Sequence, residues 1–113
     1  MKEADIVLAP LTQSDGKVKN RPVLLLRELP PFGDFLVCGI STQIRQAVPG
    51  FDEVFTREDA GFAESGLVTD SVIRLGFLAV WPRKKMLGSI GTIGGKRHRR
   101  LLRNLCRHLS AAV

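Results

Sequence analysis

The feature that most limits what this chain can become is a series of short apolar runs, each closed by a turn cluster. Ile6-Val7-Leu8 is followed by Pro10, Val23-Leu24-Leu25-Leu26 by Pro30-Pro31-Phe32-Gly33-Asp34, and Phe35–Ile40 (FLVCGI) by Ser41-Thr42-Gln43. Runs of this length and composition read as strands. The spacing predicts strands over Asp5–Ala9, stopped by Pro10; Arg21–Arg27, with Pro22 near its start where a missing donor is tolerated; and Phe35–Ile40. It also predicts a long strand over Asp70–Trp81, a last one over Gly88–Ile93, and a short one at Val54-Phe55. Between Thr12 and Asn20 lies a polar loop with a Ser14-Asp15-Gly16 turn signal. Thr56-Arg57-Glu58-Asp59 has the form of a capping box, with Asp for the usual Glu, and predicts a short helix towards Glu64 that ends at Ser65-Gly66. Too few helices separate the strands for a parallel βαβ arrangement. The expected architecture is mainly β with short helices (α+β): a strongly bent antiparallel sheet or small barrel.

The end of the chain predicts a helix. With Leu101 at 0° and about 100° per residue, Leu101, Leu102, Leu105, Cys106 and Leu109 fill an arc of roughly 140°. Lys96, Arg97, Arg99, Arg100, Arg103 and Arg107 fall outside it, so one face is expected to pack on the sheet while the other presents cations. Cations at a helix start oppose the macrodipole, which points to a partner rather than to helix stability. The charge of the whole chain is segregated in the same sense. All eleven acids lie within residues 1–70, together with seven of the seventeen lysines and arginines, for −4, whereas Ser71 to Val113 carries ten bases and no acid, for +10. A polyanion is the natural complement of such a surface; a merely solvated basic face is the plainer alternative.

Several classes of function are excluded. At 113 residues the chain suits one domain, over residues 1–113, with a single core. No apolar run approaches the ~18 residues of a membrane span, and no apolar signal region follows Lys2. Both facts predict a cytoplasmic protein. Cys38 and Cys106 belong to no CxxC pair. Cys38, mid-strand, suits a small core residue, and Cys106 falls on the apolar helix face; neither reads as a nucleophile. His98 and His108 are ten residues apart on one helix, which does not bring them together as ligands, so no metal site and no cofactor is expected. Phosphate-cradling glycine loops and HExxH are absent. What remains is arginine plus hydroxyl: Arg21 where the polar loop enters a strand, Ser41 and Thr42 where another strand ends, and Arg74 within an apolar strand, on one face with Val72, Gly76 and Leu78. An arginine so placed must find an anion, pair with an acid such as Asp70, or reach solvent.

The order of these segments resembles the MazF/PemK-like toxins of toxin–antitoxin systems. Asp5-Ile6-Val7-Leu8, a polar loop, and Arg21-Pro22-Val23-Leu24-Leu25-Leu26 are similar to that family's "GDIVLV" and "RPALVLS" strands. Ile40-Ser41-Thr42-Gln43 is similar to its "I-T/S-x-Q" segment, and Gly66-Leu67 with Asp70-Ser71-Val72-Ile73-Arg74-Leu75 to its "GL…DSVVRLD" stretch. Leu87-Gly88-Ser89-Ile90-Gly91-Thr92-Ile93 and the terminal helix resemble its "LGRKIGTL" strand and helix. The resemblance covers essentially the whole chain, and it rests on five weak motifs in the right order. It implies a small SH3-like barrel with a C-terminal helix, a homodimer, and a cognate antitoxin protein with an acidic segment as partner. It further implies metal-independent cleavage of single-stranded RNA, in which a 2′-hydroxyl attacks the adjacent phosphate to leave a 2′,3′-cyclic phosphate and a 5′-hydroxyl. Carried across residue by residue, the catalytic set is Arg21, Ser41 and Arg74. Lys17, Lys19 and Asn20 of the polar loop, with Thr42 and Gln43, are the expected RNA-binding residues; a loop that is only mobile is the plainer reading of the first three.

Two departures stand out. Some family members carry an aspartate two residues after the fifth-strand arginine, proposed as general base; here that residue is Gly76. Asp70 or solvent then takes the proton, or activity has been lost. The helix opens on Gly94-Gly95-Lys96-Arg97 where the family is typically acidic, which extends an RNA surface or receives an acidic antitoxin. With six Phe, one Trp and no Tyr, base recognition is expected to lean on hydrogen bonds more than on aromatic platforms. The competing functions are a CcdB-like non-catalytic poison of a protein target such as DNA gyrase, which shares the fold, and an RNA-binding module that has lost catalysis.

Overall fold

The computed structural model describes residues 1–112. Six strands, β1 (Asp5–Thr12), β2 (Val18–Leu29), β3 (Asp34–Ser41), β4 (Glu53–Phe55), β5 (Ser71–Trp81) and β6 (Gly88–Thr92), form one antiparallel sheet in the order β4-β5-β3-β2-β1-β6. Two helices accompany it, α1 (Phe62–Ser65) and α2 (Gly95–Leu109), with 3-10 turns at Ile44–Gln46 and Arg83–Lys85. The sheet curls into a half-barrel whose free edges are β4 and β6. Following β4 in the chain, α1 comes to rest on β6. The contact is backbone on backbone: a Cβ on Gly91 would sit 2.3 Å from the Glu64 carbonyl oxygen, and one on Gly66 (φ +75°) 2.1 Å from that of Ile90. Only glycine permits that seam.

Side chains alternate across the strands into two cores. One face buries Ile6, Leu24, Leu26, Cys38, Ile40, Ile73 and Leu75 with Phe55 and Phe62, and α2 adds Leu101 and Leu105 to it. The other buries Val7, Ala9, Val23, Leu25, Phe35, Val37 and Met86.

Three expectations need correction. Pro10 does not stop β1, which continues to Thr12 with Pro10 opposite Asn20. The neighbouring β6 pairs only as far as Leu8, so the absent N–H of Pro10 costs no ladder bond. The predicted loop from Thr12 to Asn20 is therefore a β-hairpin whose strands leave only residues 13–17 at its tip, and Lys19 and Asn20 lie on β2. The Thr56 N–H does donate to Asp59 Oδ2 (2.8 Å), as in a capping box, but turns follow and the helix covers only Phe62–Ser65.

The buried stripe of α2 is also rotated from its predicted position. His98, Leu101 and Leu105 are buried, and the His98 Nε2–H donates to the Leu26 carbonyl (2.7 Å). Leu109 and Cys106 are exposed instead. The rotation follows Arg97 and Arg100, which close on Glu53 of β4 (2.7 Å from Arg97 Nη1, 2.9 Å from Arg100 Nε), while the Arg97 guanidinium lies 4.1 Å above the Phe55 ring. These two cations hold the helix to the sheet, contrary to the expectation that the whole basic face is left to a partner.

The cysteines are thereby divided. Cys38 is fully buried in the first core, and desolvation, with the nearby Asp52 carboxylate, pushes its thiol well above the usual range. A thiol reagent is expected to modify one cysteine per folded chain, Cys106, and both after denaturation; rapid labelling of two in the folded protein would contradict the burial of Cys38.

Candidate functional site: an arginine-lined pocket across three strands

The register of the central strands brings three polar side chains together. Gly39 of β3 lies between Val23 of β2 and Arg74 of β5. Carried two residues further, the β2–β3 register sets Arg21 opposite Ser41. Since directly paired residues share a sheet face, Arg21, Ser41 and Arg74 emerge on one side, continuing the second core. They line a cavity of about 110 Å³ with Leu11, Pro22, Gly39, Ile40 and Phe77. No carboxylate is among these residues.

A β-bulge opens the cavity. Cys38 pairs with Leu78, yet its neighbour Gly39 pairs with Arg74, so Leu75, Gly76 and Phe77 have no residue opposite them. The bulge lays the Phe77 ring on the bare backbone of Gly39, where a Cβ would meet Phe77 Cδ1 at 2.9 Å. It also breaks the expected alternation of Val72, Arg74, Gly76 and Leu78 along one face: Val72 is buried, whereas Gly76 and Leu78 are exposed.

Arg74 is half-buried. Its Nη1 donates to Gln46 Oε1 over a long 3.4 Å, and its Nε–H is buried with no partner among the described residues. Leaving a buried donor unmade costs about 1–3 kcal/mol. Asp70 does not supply the missing acceptor: its carboxylate takes the Arg57 N–H (2.8 Å) and lies 3.5 Å from Arg57 Nε. Arg21 is exposed on β2 opposite Ala9, and no acid pairs with it among the described residues. Ser41 Oγ accepts the Gln43 N–H (3.1 Å), which leaves its own proton free to donate into the cavity. The pocket thus offers two guanidinium groups and one hydroxyl donor, with no carboxylate in its lining.

Two residues outside the sequence-derived set support Arg74. Gln46 is its only hydrogen-bond partner among the described residues. Asp52 accepts the Leu75 N–H on Oδ1 (3.0 Å) and the Val48 N–H on Oδ2 (2.9 Å), tying the segment after β3 to β5 next to Arg74. Neither carries a local motif; each acts across more than twenty residues. Of the other expected residues, Lys17, Lys19, Asn20, Thr42 and Gln43 are all exposed, and none lines the cavity. Lys19 stands nearest in register, opposite the lining residue Leu11. Gly76 is exposed, with open space where a Cβ would be.

Elsewhere, Arg27, Arg99 and Arg103 border a groove with Leu102 and Cys106. Among the described residues no three His, Cys, Asp or Glu side chains gather where they could hold a metal ion. No described helix is long and apolar enough to cross a membrane.

No protein-family model matches the chain, and no curated protein sequence matches it. Among solved structures it is similar to the Mycobacterium tuberculosis toxin MazF-mt6, with 23% identity over 96% of this chain and 99% of that one and a TM-score of 0.68. The fold is MazF-like: a curled antiparallel half-barrel with a C-terminal helix.

Proposed function

We propose that this chain is the toxin of a toxin–antitoxin pair and an endoribonuclease that cuts single-stranded RNA in the Arg21–Ser41–Arg74 pocket. The observation that carries this reading is the unpaired Arg74 Nε beside a second arginine and a serine hydroxyl. A protein tolerates such a donor where a ligand will satisfy it. A phosphodiester is the ligand of matching charge and shape, because a guanidinium can grip two non-bridging oxygens through charge-assisted hydrogen bonds.

In the reaction the RNA 2′-hydroxyl loses its proton to solvent base and its oxygen bonds to phosphorus. The P–O5′ bond breaks, and the departing oxygen takes a proton from water to become a 5′-hydroxyl. Arg21 and Arg74 stabilise the charge that grows on the phosphoryl oxygens, and Ser41 orients the group. The cations bring to the phosphate the charge that a metal would otherwise supply, so no metal is required. Lys17, Lys19 and Asn20 along the hairpin, with Thr42 and Gln43, would hold the strand on either side of the pocket. We assign the active form to a homodimer in the cytoplasm. Its antitoxin would present an acidic, partly apolar segment to the basic surface.

Purified protein incubated with a long unstructured RNA in EDTA is expected to cut it into fragments ending in 2′,3′-cyclic phosphate and 5′-hydroxyl groups. Intact RNA under these conditions would overturn the reading, and it is the result that a protein poison or a catalytically lost binder would give. Sequencing the new 5′ ends supplies the cleavage motif.

A further inference from the structure

The pocket has one aromatic wall that no step of the reaction uses. Phe77 is 48% exposed although it lines the cavity, an unfavourable position for a large apolar ring in the isolated chain. Its seat is specific, since the bulge delivers the ring onto Gly39 and any side chain at 39 would displace it. Four of the other rings are already engaged, Phe51 with His108, Phe55 with Phe62 and Arg97, and Phe35 with Arg83, and the remaining two, Phe32 and Trp81, do not line the cavity. Phe77 takes part in none of these pairs.

Resting on the reading of the pocket as a phosphodiester site, we infer that Phe77 is a stacking platform for one nucleobase next to the scissile phosphate. In a nucleotide the base hangs one sugar away from its phosphate. A ring standing in the wall of a cavity that grips the phosphate is therefore placed to meet a flanking base. An aromatic face accepts any base, so Phe77 contributes affinity and strand positioning, while the order of bases is left to hydrogen bonds from other residues. The exposed neighbours Leu78 and Val80 raise the competing explanation that Phe77 belongs to an apolar contact between two copies of the chain. The test separates the two.

Binding is measured by fluorescence anisotropy with short single-stranded 2′-O-methyl RNAs, in which the attacking hydroxyl is blocked. Phe77→Leu is expected to weaken binding roughly 5- to 150-fold, the range of one stacked base, and Phe77→Trp to retain it. Removing the base at one position of the RNA should cost wild type a similar factor and cost Phe77→Leu nothing more. Equal losses for Phe77→Leu with intact and abasic RNA at every position would overturn the assignment, as would unchanged affinity. So would a loss that tracks dissociation of the protein in light scattering. Should Phe77→Leu fail to fold, Phe77→Trp keeps the test open, because its emission should be quenched by RNA beyond any change in Trp81 of the wild type. Absence of that quenching counts against stacking. Wild-type cleavage of ordinary RNA is scored separately: binding with the Phe77 signature but no cutting rejects the nuclease reading alone, cutting without the signature rejects the platform alone, and no binding rejects both.

Discussion

Arg21→Ala is expected to lower the rate of RNA cleavage on the order of 10³-fold, with the fold and assembly unchanged. The side chain is exposed and without an acid partner, so its removal takes charge from the developing phosphorane and nothing from the core. Arg21→Lys should recover only part of the rate, because an ammonium keeps the charge but loses the planar two-pronged grip. Arg74 carries the same expected loss with a different signature in stability. Its unpartnered Nε is a burden on the unliganded protein, so Arg74→Met should abolish cleavage while raising stability by about 1 kcal/mol. Combining both substitutions should cost little beyond either alone, since the two guanidinium groups act on one phosphate. Initial rates on a defined RNA, with thermal melts of each variant, check all of these. Near-wild-type cutting by Arg21→Ala would remove the pocket from the chemistry, and a large drop in melting temperature on Arg74→Met would give that residue a structural role instead.

The cleavage rate should climb about tenfold per pH unit from pH 6 to 9 without a plateau, roughly a thousandfold in all. The lining residues include no carboxylate, histidine, cysteine or lysine that could serve as a base. Removal of the 2′-hydroxyl proton is then left to hydroxide, whose activity rises tenfold per unit. The two histidines are engaged elsewhere, His98 with the Leu26 carbonyl and His108 against Phe51. A break or bell between pH 6 and 8 would reveal a side-chain base and refute solvent as the proton acceptor. Gly76, at the position where some MazF/PemK-like proteins carry an aspartate, has open space where a Cβ would stand, so Gly76→Asp offers a direct comparison of profiles.

Strand positions were legible because apolar alternation and turn chemistry are local signals, and every predicted strand exists. Pro10 misled because whether a missing N–H matters depends on the length of β6, some eighty residues away. Arg97 and Arg100 read as free cations because their partner, Glu53, is remote in sequence. Arg21, Ser41 and Arg74 could be singled out one by one as polar residues at the ends or middle of apolar runs. Their convergence follows from strand register, which the sequence leaves open. The bulge at Leu75–Phe77 leaves no local trace, so nothing in the sequence marks Phe77 as a wall of the pocket or removes Gly76 from the face of Arg74. Gln46 and Asp52 were equally hidden, since nothing in their own neighbourhood signals that they buttress an arginine.

Because the three unmatched residues on β5 set the phase of everything after them, this stretch tolerates exchange far better than loss. Deleting a single residue there would turn Leu78, Ala79, Val80 and Trp81 inside out together and slide the guanidinium out of line with its companion. Natural variation at this spot should therefore run to altered letters at constant length, and a frame-preserving codon deletion should be as damaging as removal of the arginine itself.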